Sequence, residues 1–469
     1  MKTTQTLFLS SIIFCCVAFS GSAQDSYPDI FADSIPQCWD YSAEFTSADE
    51  SYISWWKQFS DPTLDALIEL CVKNNQNISI AARRMDMAKD NITKAKSGFY
   101  PSANINAGYT KQRASGAMMH GDGHASGTSF YQLGASMSWE IDLFGKIRAG
   151  VNGTKAQYSA SRAEYDGVMV AMAAELSANY FQLRMYQNEL AIAQEQADEQ
   201  ERTLKITKAR MEAGLGNGLE VAQSKTQLYA TQATIPQLEN SIAATLNTIA
   251  TLAGLFPHEI KGLISDSSQL PEYRRIIGVG VPMNLLRRRP DLVEAEMQIS
   301  VYAAQLGIAR KDYLPTLSLN GSIGTEAHNI GDLFKDNSFT YTIAPTLTWT
   351  IFDGFARKAN SASARRQMEI GIDNYNQALI TAVAEVQNAM TSYKTSVKRI
   401  SLLENCVEQS KKSLTLSLDL YKQGLAAFTN VIDAQSSLLQ YQNELTECKA
   451  QALISLTDLY KALGGGFNN

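Results

Sequence analysis

The 469-residue chain contains little proline and little cysteine, and each shortage excludes a class of protein. Its 11 prolines are too few for a collagen-like or proline-rich chain. Its six cysteines are too few and too far apart for a disulfide framework or a structural zinc site. The mildly acidic net charge of −6 argues against nucleic acid as a partner. After the N-terminus, no apolar run reaches the roughly 18 residues that a membrane-spanning helix requires.

Signatures of catalysis and of cofactor binding are also missing from the sequence. It contains no nucleophile elbow, phosphate-binding loop, zinc-binding helix motif or dinucleotide-binding glycine pattern, so no enzyme activity and no cofactor are expected. The segment from His120 to His124 has metal-ligand side chains but no further ligand nearby, and an exposed loop is the better interpretation. The three arginines at 287–289 are too short a run for a nucleic-acid patch, and we expect them to fix the start of a helix near Pro290.

The N-terminus has the pattern of an export signal. Lys2 supplies a positive charge, Leu7 to Phe19 form a short apolar stretch, and small residues precede a predicted cleavage after Ala23. A membrane anchor is the alternative, but the apolar stretch is too short for one. We therefore expect residues 1–23 to be a signal peptide and the mature chain to leave the cytoplasm.

The rest of the sequence is internally duplicated. Phe-Tyr-Pro at 99–101 is matched by Tyr-Leu-Pro at 313–315, and Ala-Gln-Ser at 222–224 recurs at 434–436. The displacements between such pairs cluster near 210 residues, so two units of about this size follow one another. We expect a first repeat at 24–256, a linker at 257–289 and a second repeat at 290–469.

Each repeat ends in a long helical stretch with apolar residues seven positions apart. The series begins at Val221 in the first repeat and at Val431 in the second. Such seams are typical of long antiparallel helices, and glycine-containing breaks interrupt them. We therefore expect two helical hairpins, with tips at residues 214–218 and 424–428.

Four segments alternate strictly between apolar and polar residues, two in each repeat. They lie near residues 102–112, 129–142, 316–326 and 338–351. Their apolar faces carry aromatic residues that we expect to meet membrane lipid: Tyr109, Tyr131, Trp139, Tyr341 and Trp349. Such long alternation is typical of strands that span an outer membrane, and a half-buried soluble sheet is the alternative. Four strands cannot close a barrel, so several copies must share one, and three copies would supply 12 strands.

Several motifs resemble those of one known family. Residues 55–64, Trp-Trp-Lys-Gln-Phe-Ser-Asp-Pro-Thr-Leu, resemble the opening motif of TolC-like outer-membrane efflux factors. Residues 285–291, Leu-Leu-Arg-Arg-Arg-Pro-Asp, are similar to the hallmark of their lipoprotein-type (NodT) branch, the multidrug/RND efflux outer-membrane channels. The resemblance extends over essentially the whole mature chain. This sequence departs from the pattern of that branch at one point. Members of the branch usually carry an acylated N-terminal cysteine, whereas neither Cys15 nor Cys38 follows a lipidation motif here.

The resemblance implies an α+β membrane channel in the outer membrane of a Gram-negative-type bacterium. Such a channel is a homotrimer with a 12-stranded β-barrel, four strands per chain, which a long α-helical barrel continues across the periplasm. It acts as the exit duct of a tripartite efflux pump and conducts small molecules and drugs passively. The implied partners are other copies of the chain, a periplasmic adaptor protein, an inner-membrane RND or ABC transporter, and outer-membrane lipid. No enzyme activity, cofactor or metal is implied.

The resemblance also assigns roles to residues at the hairpin tips. The implied periplasmic aperture involves Asp433, Asn430, Thr429, Tyr421 and Gly424. Three Asp433 carboxylates in a trimer would form a cation-binding ring, while a solvated helix residue is the alternative. Tyr421 resembles a tyrosine that holds the closed state by a hydrogen bond between helices, and a plain core role is its alternative. The implied adaptor-docking residues are Gly214, Gly218, Leu425 and Phe428.

Two other functions stay open at this point. An exit duct for type I polypeptide secretion would share the fold, and a soluble periplasmic coiled-coil scaffold would share the helices without the membrane. A disulfide between Cys406 and Cys448 is a further hypothesis, because the two lie at similar distances from the second tip, and two buried thiols are the alternative. The transported substrates, the adaptor, the pump, N-terminal lipidation and the resting state of the channel do not follow from the sequence.

Overall fold

The computed structural model describes residues 39, 45–46, 54–113, 127–264, 269–271, 273, 277–279 and 288–465. The predicted signal peptide, Cys38, the loop from His120 to His124 and the first arginine of the 287–289 run lie outside the described residues. Within the described part, no helix combines the length and the apolar character that crossing a membrane requires.

Among the described residues, the order of elements is the same in both repeats, except that a further helix opens the first repeat. The first repeat contains α1 (Pro62–Asn74), α2 (Gln76–Lys96), β1 (Ser102–Arg113), β2 (Gly127–Ile141), α3 (Lys146–Glu212) and α4 (Gly218–Leu252). The second contains α5 (Pro290–Lys311), β3 (Thr316–Ala327), β4 (Phe339–Thr348), α6 (Ala356–Lys422) and α7 (Phe428–Ala462). Shorter pieces are the parallel strand pair Phe45–Thr46 and Ile277–Gly278, the helix Pro257–Ile260, and the 3₁₀ turns Trp55–Phe59, Ser97–Phe99, Ile330–Asp332 and Asp336–Ser338. The long helices α3 and α6 have 67 residues each, and α4 and α7 have 35 each, so the two hairpins have helices of equal length.

Each hairpin turns through five residues, 213–217 in the first and 423–427 in the second, one residue before the predicted tips. The second residue of each turn, Gly214 or Gly424, has a positive φ, of 71° or 76°. The next N–H donates to the carbonyl five residues earlier, at 2.8 Å in the first turn and 2.9 Å in the second. Glycine suits this helix ending because it has no Cβ to clash in the left-handed conformation. Each 67-residue helix spans roughly 100 Å.

The four long strands form one antiparallel sheet in the order β1-β2-β3-β4. Their ends lie within two residues of the predicted segments, except that β4 ends at Thr348 rather than 351. Trp349 therefore lies just after its strand. Side chains at odd positions form an apolar face that the described residues leave exposed, with Ile105 at 85% exposure, Ile343 at 73% and Tyr341 at 70%.

The main apolar core lies where the segment before α1 meets the long helices. Trp55 is fully buried and stacks on Tyr460 of α7, with ring centroids 5.4 Å apart. Phe59 contacts Phe181 of α3, with ring centroids 5.0 Å apart. The aromatic residues of the 55–64 motif therefore connect helices from both repeats.

A side chain at the start of each repeat binds the carbonyl at the end of that repeat. The Asn75 amide donates to the Leu252 carbonyl at 2.8 Å, and the Arg289 guanidinium donates to the Ala462 carbonyl at 3.0 Å. Arg289 also forms an ion pair with Glu385 of α6 at 2.7 Å. The last of the three arginines thus closes the second repeat on itself at the start of α5, satisfying a carbonyl that a helix end leaves unpaired.

The hypothesis of a disulfide between Cys406 and Cys448 is wrong, because both thiols are free. The Cys448 Sγ lies 3.5 Å from the carbonyl oxygen of Ser396, so Ser396 rather than Cys406 lies opposite Cys448. The helix between Ser396 and Cys406 spans roughly 15 Å. Equal separation from a turn does not give equal height, because two long packed helices shift relative to one another over many turns.

Candidate functional site at the hairpin tips

Three polar residues share one side of α7 beside the second tip. Thr429 and Asn430 lie four and three positions before Asp433, which places each of them beside Asp433 on the helix surface. All three are exposed, whereas Val431 and Ala434 are buried. The predicted aperture residues therefore form one exposed polar face. In the described part of the chain, no three His, Cys, Asp or Glu side chains are grouped as metal ligands would be.

Tyr421, at the end of α6, is both a core residue and a hydrogen-bond donor. Its side chain is 2% exposed, and its hydroxyl donates to Glu220 Oε2 of α4 at 2.8 Å. Burial, and then the hydrogen bond to Glu220, raise the pKa of Tyr421 to about 12. The hydroxyl therefore keeps its proton at neutral pH, and the bond joins the second hairpin to the first.

Arg210, near the end of α3, strengthens this connection. Its guanidinium carbon lies 4.7 Å from the ring centroid of Tyr421, within cation–π range. Its Nη1 donates to the Lys422 carbonyl at 2.9 Å, and its Nη2 donates to the Leu215 carbonyl at 3.2 Å. One side chain thus contacts both hairpins. We refer to Arg210, Glu220 and Tyr421 as the tip latch.

The sequence analysis identified Tyr421 but missed Arg210 and Glu220. Charged residues on a long helix usually face solvent, so their local pattern gives no sign of a special role. The duplication did give a sign of these roles. The residues 210 positions after Arg210 and Glu220 are Leu420 and Asn430. Neither residue offers the same charge. The tip latch therefore uses positions at which the two repeats differ in charge.

The structure corrects the predicted docking surface at Phe428. Its side chain is only 3% exposed, and its ring centroid lies 5.1 Å from that of Tyr421. Burying a phenylalanine side chain is worth roughly 1.5–3 kcal/mol, so the ring packs against its neighbours instead of facing solvent. Phe428 supports the tip latch from within and is not available to a docking partner.

The other predicted tip residues are accessible. Leu425 is 71% exposed, and on the first hairpin Leu215 and Leu219 are 67% and 64% exposed. A Cβ placed on Gly214 or Gly218 would meet no atom within 4 Å. Apolar side chains and open backbone therefore occur together at the two turns.

The five predicted lipid-facing aromatic residues differ in exposure. Three are more than half exposed, Tyr109, Tyr341 and Trp349, and two are partly covered, Tyr131 and Trp139. The Trp139 indole N–H donates to the Phe99 carbonyl at 3.0 Å, and the Trp349 indole N–H donates to the Tyr313 carbonyl at 3.0 Å. Both indole rings are thereby fixed at a junction between helix and strand.

The contact between α3 and α7, which joins the two hairpins along their length, is polar. Three side-chain hydrogen bonds cross it at 3.0 to 3.1 Å: Gln435 to Thr203, Gln196 to Gln442 and Thr446 to Asn188. Gln200 is 1% exposed, and neither of its amide atoms has a hydrogen-bond partner among the described residues. A buried amide without partners costs about 1–3 kcal/mol. We refer to this contact as the polar seam.

The chain is similar in sequence and in fold to proteins of one family. A family profile described as outer membrane efflux protein matches residues 67–255 and 281–465. Nodulation protein T of Rhizobium leguminosarum bv. trifolii is 26% identical over 463 residues, which cover 99% of this chain and 97% of that protein. The pyoverdine export outer membrane protein OpmQ of Pseudomonas aeruginosa is 27% identical over 468 residues, which cover 98% and 97%. The outer-membrane channel OprN has a TM-score of 0.87 at 27% identity, over 92% of this chain and 97% of that chain. The outer membrane protein VceC from Vibrio cholerae, at 24% identity, shares the fold with a TM-score of 0.82 over 90% and 100%.

Proposed function

Because the chain belongs to the outer membrane efflux protein family, we propose that it is the exit duct of a tripartite efflux pump and conducts small molecules passively out of the cell. The chain is an outer-membrane protein with a periplasmic extension. OpmQ is named for the export of pyoverdine, a relation that favours small molecules as cargo here as well. Such a duct needs an opening, a gate and docking surfaces, and requires no catalytic group or cofactor of its own.

The uncovered apolar sheet supports a trimer that spans the membrane. Among the described residues, the outer strands β1 and β4 each pair with a strand on one side only. In lipid, each unpaired backbone group costs several kcal/mol, so the sheet must be completed by further strands. Three copies would supply 12, within the size range of natural barrels. A soluble scaffold would leave Ile105, Tyr341 and Ile343 in water, which disfavours that alternative.

The exposed polar face of α7 supports an aperture at the second tip. In a trimer whose α6–α7 hairpins surround the axis, Asp433 occurs three times at one height. Three carboxylates in a ring attract cations and repel anions. Asn430 adds hydrogen-bonding groups to the same face without adding charge, and Thr429 extends the polar lining.

The tip latch is the observation on which a gated duct chiefly rests. It holds the second hairpin against the first through the Tyr421–Glu220 hydrogen bond and the contacts of Arg210. A hydrogen bond to a charged group contributes about 1.5–3 kcal/mol. A partner that binds the open state better by a similar amount therefore shifts the equilibrium toward opening.

The exposed leucines at the two turns support docking of a periplasmic adaptor. Leu215, Leu219 and Leu425 provide apolar contacts beside the tip latch. A partner bound there competes for the same few residues that keep the hairpins together. The adaptor in turn connects the duct to an inner-membrane transporter of the RND or ABC class.

Single-channel conductance in planar bilayers tests the duct and its aperture together. We expect small, cation-selective currents from the purified wild-type protein and weaker cation selectivity from Asp433→Ala. Glu239→Ala removes a carboxylate from an exposed position on α4 and should behave like the wild type. Equal selectivity in all three proteins would remove Asp433 from the aperture, and a folded preparation that forms no channels would contradict the duct itself.

Cargo is tested in cells. Deleting the gene should raise the accumulation of a fluorescent small-molecule efflux substrate, and expression of the wild-type chain should restore its export. If small-molecule accumulation stays constant while a secreted polypeptide is retained, the chain serves type I secretion instead.

A further inference from the structure

The internal duplication carries information about how one copy of the chain meets the next. The sheet of one chain ends at β1 on one side and at β4 on the other. In the proposed trimer, β4 of one copy meets β1 of the next copy, and we propose that these two strands pair antiparallel in a register that sets Leu347 opposite Ala107. This inference rests on the proposed trimer and specifies its subunit contact residue by residue.

The two strand hairpins of the chain have the same register. In the first, Ser102 pairs with Ser138, and in the second, Thr316 pairs with Thr348. Thr316 lies 214 residues after Ser102, and Thr348 lies 210 residues after Ser138. With these two displacements, every residue pair of β3 and β4 coincides with a residue pair of β1 and β2. The sheet therefore repeats without slippage.

The central pair of strands then gives the register of the subunit contact. Met137 of β2 pairs with Gly321 of β3. Leu347 is the counterpart of Met137, 210 residues later, and Ala107 is the counterpart of Gly321, 214 residues earlier. If the contact between copies repeats the contact between β2 and β3, Leu347 lies opposite Ala107. Further pairs follow along the strands: Pro345 with Tyr109, Ile343 with Lys111, and Tyr341 with Arg113.

This register keeps the two faces of the sheet separate. Odd positions of β4 meet odd positions of β1, so the exposed apolar side chains of both strands, including Ile343 and Ile105, stay on one face. A shift of one residue would exchange the faces and direct Asn106 or Thr110 toward lipid. Only shifts by two residues compete with the proposed register.

The closure of the barrel distinguishes the proposed register from the registers that are shifted by two residues. Following the paired residues from Ser102 leads to Ser138, then to Asn320, then to Ala344. In the proposed register Ala344 faces Thr110 of the next copy, so one circuit through a chain advances the register by eight residues. Half of this advance already occurs within the chain. The path from Ser102 reaches Asn320 on β3, which lies four residues beyond Thr316, the counterpart of Ser102. An even stagger around the ring is what a closed barrel with uniform strand tilt requires.

Cysteine pairs placed on the outer face test the register directly. Leu347→Cys combined with Ala107→Cys should give reducible covalent dimers and trimers when the membrane-embedded, full-length protein is oxidised with copper phenanthroline. Directly opposite Cβ atoms lie about 4.5–5.5 Å apart, whereas diagonal neighbours are about 7–8 Å apart. A disulfide needs Cβ atoms about 3.5–4.5 Å apart, so the matched pair should link at least about fivefold faster than either shifted pair.

Two shifted pairs serve as matched controls. Leu347→Cys is combined with Ile105→Cys or with Tyr109→Cys, each two residues from the predicted partner on the same face. All variants are made in a background in which Cys38, Cys71, Cys406 and Cys448 are replaced by serine, so that only the introduced thiols can react. Each variant with one introduced cysteine should remain monomeric on a denaturing gel, because the contact between copies joins two different strands. Faster linkage of either shifted pair would overturn the proposed register.

A separate measurement distinguishes failure of the register from failure of the trimer. Cross-linking of the wild-type protein with an amine-reactive reagent reports the oligomeric state without reference to strand pairing. Trimers in this assay, together with slow linkage of the Leu347–Ala107 pair, would contradict the register alone. Monomers in this assay would contradict the trimer and with it the proposed duct.

Discussion

Tyr421 shows how much the tip latch depends on a single hydroxyl. Tyr421→Phe keeps the ring and its contact with Phe428 but removes the hydrogen bond to Glu220. Because the acceptor is a carboxylate, we expect the closed state to lose about 1.5–3 kcal/mol, which raises the open-state population at least about tenfold. Single-channel open probability measures this change. Tyr229→Phe, at a residue 62% exposed on α4, is the control and should match the wild type.

Glu189 on α3 is a carboxyl group in an unfavourable environment. Burial, and then the charge of Glu447, raise the pKa of Glu189 from 4.5 to about 7. The folded state therefore binds this proton more tightly than the unfolded state, so stability should be greatest below about pH 4.5 and fall as the pH rises through about 7.

Glu189→Gln removes this source of pH dependence. The variant should melt at a higher temperature than the wild type at pH 8 and at a similar temperature at pH 4.5. Glu195→Gln, at an exposed position on the same helix, should follow the wild type at both pH values. A wild-type advantage at pH 8 would show that the charged form of Glu189 is stabilised rather than disfavoured.

At the scale of elements, the polar seam offers a direct test of the packing between the hairpins. Gln200→Leu replaces a buried amide that has no hydrogen-bond partner in the described part of the chain with an apolar side chain of similar size. We expect the variant to be more stable by about 1–3 kcal/mol, observed as a higher melting temperature. Gln435→Leu is the matched comparison, because it removes the bond that the Gln435 amide donates to the Thr203 hydroxyl, which then keeps only its own bond to the Glu199 carbonyl. Losing this bond should lower the melting temperature. A lower melting temperature for Gln200→Leu would mean that its amide is satisfied in the assembled protein.

Elements with a strong period could be predicted from the sequence, whereas contacts between distant elements could not. Alternation with a period of two placed the strand ends closely because one face of the sheet must stay apolar. The glycine turns were predictable because few residues tolerate a positive φ. The latch partners Arg210 and Glu220 were missed because their roles arise from the way two hairpins, far apart in sequence, lie together. The same cause defeated the pairing of Cys406 with Cys448, since the relative shift of long helices is set by packing along their whole length.

At the scale of the whole molecule, the apolar face of the sheet determines where the protein resides. Ile343→Lys places a charge on that face, and Thr342→Lys places the same charge on the other face one residue away. A lysine that faces lipid near the bilayer centre costs about 2–4 kcal/mol, whereas one that faces the interior of a barrel is tolerated. We expect Ile343→Lys to reduce the amount of protein recovered in the outer membrane and Thr342→Lys to leave it unchanged. Equal recovery of both variants would contradict the membrane-facing assignment.

The closing contacts of the two repeats have a consequence for how the gate arose. Asn75 ties the first repeat together and Arg289 ties the second, so each repeat has a closing contact of its own. A ring of six separate copies of one repeat would have six identical contacts between neighbours. All six contacts would then be equally strong and would open under the same conditions. Fusion of two modules into one chain leaves two kinds of contact that mutate independently. The charges at Arg210 and Glu220, absent from their counterparts Leu420 and Asn430, are the trace of that divergence. A ring of such fused chains can thus keep one kind of contact permanently and let the other kind open and close as the gate.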